Sequence, residues 1–117
     1  MSTTLTADDD AAWIDLTGFQ RDLLVAIYER DEPHGLALKS ALQDRYDTEV
    51  NHGRLYPNLD ELVELGLVEK GSIDQRTNSY ETTLSGRSLV ENQAHRLNSI
   101  TSKRAATGWD SETENGT

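Results

Sequence analysis

The run Asn51-His52-Gly53-Arg54-Leu55-Tyr56-Pro57-Asn58-Leu59-Asp60-Glu61-Leu62-Val63-Glu64-Leu65-Gly66-Leu67-Val68 decides how the rest of the chain is read. Asn51 is a good N-cap. Leu55, Leu59, Leu62 and Val63 then share one face at helical spacing, and Gly66 stands where such a helix ends. Pro57 lies inside this helix and denies an amide to the carbonyl of Gly53, which predicts a kink or a loose first turn. Charge divides along the helix: residues 51–58 hold no acid, whereas Asp60, Glu61 and Glu64 occupy the later turns. A helix start cleared of carboxylates presents unpaired amides and the positive end of the macrodipole, which suits phosphate.

Upstream, Thr17 and Gln20 have capping-box spacing, and Phe19, Leu23, Leu24 and Ile27 follow on one helical face. Pro33 and Gly35 punctuate the turn that follows. A second helix is expected from about Gly35 to Tyr46, with Leu38, Leu42 and Tyr46 as its buried stripe. Downstream, residues 67–70 alternate like a strand, 71–78 are a polar stretch, and 79–83 are the return strand. This predicts a β-hairpin with a long, flexible tip. Thr83 or Ser85 then caps a last helix over about 86–105. Its apolar residues Leu89, Val90, Leu97 and Ile100 approximate a short heptad seam, interrupted by Gln93.

The order helix, helix, helix, hairpin, long helix is that of a winged helix-turn-helix, an α+β fold that is mainly α. The expected organisation is an acidic N-terminal arm (1–15), a winged DNA-binding domain (16–83), a C-terminal dimerisation helix (84–106) and a disordered acidic tail (107–117). In this arrangement the helix from Asn51 enters the major groove. Arg54 suits guanine, and Asn51 or Asn58 suits adenine. Tyr56 either donates its hydroxyl to a phosphate or belongs to the core; Leu55 reads as core. His52 is either a base contact or a plain surface residue. Lys70, Arg76, Thr77 and Asn78 on the wing suit backbone or minor-groove contact. Trp13 is expected to pack against a dimer partner or the last helix, and Phe19, Leu89, Val90, Leu97 and Ile100 join it in the expected dimer contact.

Composition bounds the alternatives. The chain has 117 residues and a net charge of −10, which counts against nucleic acid if spread evenly. It is not. Residues 16–104 carry 14 acids against 11 bases, and the remaining acids lie outside that body. Arg outnumbers Lys by eight to three, and acidic residues outnumber both together by 21 to 11. That balance suits a cytoplasm of molar salt, where the Debye length falls to about 3 Å and self-repulsion is short-ranged. Cysteine is absent, which excludes disulfides, thiolate metal sites and thiol redox chemistry. His34, His52 and His95 are scattered, so no metal or cofactor is expected. The opening residues lack a signal-peptide pattern, and no apolar stretch approaches a membrane span, so a soluble cytoplasmic protein is expected. No nucleophile elbow, zinc-protease helix or phosphate loop occurs, so no enzyme is expected.

Residues 52–68 resemble the PadR-like winged-helix regulators, which carry a G-x-L-Y-P-x-L-x-x-L-x-x-x-G-L-V pattern on the recognition helix and first wing strand. His34-Gly35 with Leu38 and Leu42, Asp74-x-Arg76, and Tyr80-x-x-Thr83-x-x-Gly86 are similar to further family motifs, so the resemblance spans roughly 19–90. It implies a homodimeric regulator on a partly palindromic operator, with Asn51, His52, Arg54 and Tyr56 facing DNA and Arg76 at the wing tip. The acidic body implies salt cations that screen or bridge carboxylates facing phosphate, and likeness to haloarchaeal members implies control of oxidative-stress genes. A winged-helix module that binds a protein partner instead of specific DNA is the alternative.

Overall fold

In the computed structural model, which describes residues 7–106, the chain runs through α1 (Ala7–Asp15), α2 (Gly18–Tyr28), α3 (Gly35–Tyr46), α4 (His52–Glu64), β1 (Val68–Ser72), β2 (Asn78–Thr82) and α5 (Leu84–Ala106). Trp109 and the expected tail at 107–117 lie outside the described residues.

The capping box forms as its spacing predicts. Thr17 Oγ1 accepts from the Gln20 amide, and Gln20 Oε1 accepts from the Thr17 amide, each at 3.1 Å. Leu23, Leu24 and Ile27 of α2 then meet Leu38 and Leu42 of α3 and Leu55, Leu59 and Leu62 of α4 in one core. A reversal in the left-handed conformation at Asp47 (φ 55°) ends α3, and Val50 closes the core beneath the turn. The Val50 amide is held by Gln43 Oε1 at 3.0 Å.

Pro57 does not interrupt α4. Gly53, whose carbonyl loses its usual partner, is exposed, so water can satisfy it. The amides of Arg54 and Leu55 both reach the Asn51 carbonyl at 3.1 Å, which makes the first turn tight rather than loose. Gly66, at φ 78°, turns the chain into β1.

The hairpin is antiparallel, with Val68 opposite Thr82 and Lys70 opposite Tyr80. Its strands reach further than the sequence suggests, which leaves a tip of residues 73–77 in place of the long loop expected. Asp74 explains the difference. Its Oδ1 accepts from the amides of Arg76 and Thr77 at 2.9 Å, and Ser72 Oγ donates to its carbonyl at 2.8 Å. At the other edge of β2 the Tyr80 amide donates to the Pro33 carbonyl at 2.9 Å, and His34 bridges Ser79. The segment entering α3 is thereby stitched to the wing.

The N-terminal arm departs from a plain tail, because residues 7–15 are helical. Trp13 and Ala12 pack on the core, and α1 lies along α5. Arg21 closes the end of α1: Nε and Nη2 donate to the carbonyls of Trp13 and Ile14 at 3.0 and 3.1 Å, and the guanidinium lies 5.3 Å from the Trp13 ring centroid. A cation at a helix C-terminus is favourable. Among the described residues no helix is long and apolar enough to cross a membrane.

Candidate nucleic-acid interface

The tip of α4 projects from the body of the chain. Asn51, His52, Gly53 and Arg54 are all exposed, while Leu55, immediately after them, is fully buried. The helix is thus anchored by its leucine face and presents its first turn to solvent.

The individual side chains differ in what remains available to a partner. Asn51 Oδ1 accepts from the Arg54 amide at 2.9 Å, so this residue is occupied as the N-cap. Asn58 is half-buried and turned inward: its Oδ1 accepts from Gln20 Nε2 at 3.0 Å, and its Nδ2 donates to the Arg54 carbonyl at 2.8 Å. A bidentate grip on adenine needs both amide atoms, so Asn58 serves the protomer in this arrangement. Arg54 reaches back across α2, with its guanidinium carbon 4.1 Å from the Phe19 ring centroid. His52 meets Tyr56 edge to face, with centroids 5.5 Å apart. Tyr56 is half-buried, packed on the core and seated against Gly35. Its ring body therefore packs, and its outer edge lines a cleft.

That cleft, about 280 Å³, lies between the start of α3, α4 and the wing. His34, Tyr56, Arg76, Thr77 and Asn78 are among the residues that border it. Arg76 and Asn78 are exposed and Thr77 is half-buried. Lys70 is exposed and sits 3.6 Å from Asp60, a surface pair of small energetic weight. Among the described residues no cluster of three or more His, Asp or Glu is arranged to hold a metal ion.

The expected dimer residues divide. Phe19 and Leu89 are 6% and 1% exposed and belong to the chain's own core, which leaves little of either surface for a partner. Val90 and Trp13 are half-buried against the same core. Leu97 and Ile100 are 55% and 48% exposed on the far half of α5. Gln20 was legible only as half of the capping box. The signal for its second role is a buried polar residue set between Phe19 and Leu23 in an otherwise apolar stripe.

Residues 23–92 match the Transcriptional regulator PadR-like family. A structure of RosR from H. salinarum is 40% identical, with a TM-score of 0.63 over 80% of this chain and 96% of that one. A complex structure of RosR gives 38% identity and a TM-score of 0.68, covering 86% of this chain and 98% of that one. Streptococcus pneumoniae FabT in complex with DNA shares the fold at 19% identity, with a TM-score of 0.62 over 80% of this chain and 62% of that one. No curated protein matches the chain significantly.

Proposed function

The chain belongs to the PadR-like family of transcriptional regulators, and from that premise we propose that it binds operator DNA as a homodimer, inserting the first turns of α4 into the major groove. The observation that supports this reading is the exposed, acid-free tip at residues 51–54, held outward by the buried Leu55. In this proposal Arg54 reads a guanine edge, and His52 and Tyr56 contact the duplex beside it. Arg76, with Thr77 and Asn78, brings the wing to the neighbouring backbone or minor groove. Asn51 contributes through its remaining donor, and Asn58 by holding the helix. Lys70 exchanges Asp60 for a phosphate.

The homodimer reading is supported by α5. Residues 94–106 are exposed throughout, although a helix gains most of its stability from packing an apolar face. Leu97 and Ile100 supply such a face, and Ile14 of α1 is also exposed, at 67%. Two copies joined here would bind a partly palindromic site, with half-sites about 34–36 Å apart or a multiple of that. Salt cations between surface carboxylates and phosphates belong to the same proposal, as does a place of work in the cytoplasm. Cysteine is absent, so thiol oxidation on this chain does not carry the regulatory signal.

A gel-shift assay in molar KCl, using the duplex upstream of the protein's own gene, tests the reading. A specific shift is expected, with light scattering giving twice the protomer mass. Arg54→Ala should cost about 1–3 kcal/mol at one position of each half-site. Absence of any specific shift would favour a protein-binding module.

A further inference from the structure

Arg54 emerges from the α4 tip, yet its guanidinium is not left to sample solvent at random. It lies over the face of the Phe19 ring, 4.1 Å from the centroid. That ring is itself fixed. Phe19 is 6% exposed, its centroid lies 6.2 Å from that of Tyr46, and the capping box at Thr17 sets the turn that carries it. The neighbouring carboxylate of Asp22 is already engaged. Its Oδ2 accepts from the Tyr46 hydroxyl at 2.6 Å, and its Oδ1 lies 3.3 Å from Arg45 Nε. Arg54 thus has an aromatic platform on α2 while the nearby acid is held by other partners.

The residue after Phe19 fixes the backbone of Arg54 as well. Gln20 Nε2 donates to Asn58, and Asn58 donates to the Arg54 carbonyl, at 3.0 and 2.8 Å. Phe19 thus meets the guanidinium of Arg54, and Gln20 reaches its carbonyl through Asn58. A free arginine carries about 2 kcal/mol of rotamer entropy, and bidentate recognition of a base rewards a guanidinium held in a set plane.

We infer that Phe19 is a positioning residue for base recognition: its buried ring presets the plane of Arg54, so that α2 helps to set the sequence preference exercised through α4. The inference rests on the reading of Arg54 as a base contact.

The test selects bound duplexes from a random-sequence library with the full chain in molar KCl, comparing wild type, Arg54→Ala, Phe19→Leu and Phe19→Tyr. Arg54→Ala is expected to erase preference at one position of the site. Phe19→Leu should weaken preference at that same position by about two- to fivefold, the size of an exposed cation–π contact. Phe19→Tyr, which keeps the ring face, should retain the preference. Loss of preference in Arg54→Ala with full preference in Phe19→Leu overturns the inference and leaves the DNA-binding proposal standing. Weakening spread evenly over all positions makes Phe19 a merely structural residue and also overturns it. An unaltered preference in Arg54→Ala removes the reading on which it rests. Should Phe19→Leu fail to fold, NMR of the unaltered protein decides. The side-chain protons of Arg54, assigned by comparison with Arg54→Lys, should show an upfield ring-current shift, and its absence overturns the inference.

Discussion

A Cβ added at Gly35 would collide with the ring of Tyr56, so the absence of a side chain on α3 is what admits that tyrosine. Gly35→Ala is expected to cost about 1–3 kcal/mol, as overpacking does. Thermal melting should show the loss, and gel shift a weaker complex. In a Tyr56→Ala background, where the collision is absent, the same glycine substitution should cost much less. Tyr46 makes a different prediction. Burial, then its hydrogen bond to Asp22, raises its pKa to about 12 from the ordinary tyrosine value of 10.0. The folded state keeps this proton where the unfolded chain releases it. The contribution is therefore complete below pH 10 and is lost as the pH rises through about 12. Tyr46→Phe should flatten the loss of melting temperature across that window, relative to wild type. Such partnerships set the limit of reading single residues from sequence. The cap at Asn51 is legible because it is local. The inward turn of Asn58 depends on Gln20, 38 residues away, and no local spacing encodes it.

Elements were more legible than their partnerships. The α3 bounds, the caps at Thr17 and Asn51, and the turn at Gly66 follow from local chemistry, and the structure has them where the sequence places them. Helix α1 was not legible, because its stability comes from Arg21 and from docking on α5 rather than from its own composition. The wing strands ran longer than expected because one side chain, Asp74, organises the tip. Of the two candidate caps for α5, Thr83 is the one used. Its Oγ1 accepts from the Gly86 amide at 3.1 Å and donates to the Gly66 carbonyl at 2.7 Å. One hydroxyl thus ties α5 to the exit of α4. Thr83→Ala should lower unfolding free energy by about 1 kcal/mol, and Thr83→Ser should recover most of it. Chemical denaturation of the three proteins provides the comparison.

At the scale of the whole molecule, the principal-axis extents of 57 × 40 × 23 Å reflect α5 running past the core. The full chain carries a net charge of −10, and the first turns of α4 are among its acid-free stretches. An acidic body approaching phosphate gains from screening, whereas its few cations lose from it. Operator affinity measured across molar KCl should therefore fall only shallowly, or rise; a steep decline would contradict the proposal.

The Pro33–Tyr80 stitch carries a consequence for the operator itself. With the wing clipped to the entry of α3, the helix proposed to read the groove and the hairpin are expected to act as a single caliper that resists spreading. Inserting one base pair between the stretches they touch displaces one jaw by about 3.4 Å, the per-strand rise of duplex DNA. A hinged wing would absorb that step; a clipped one forfeits its grip.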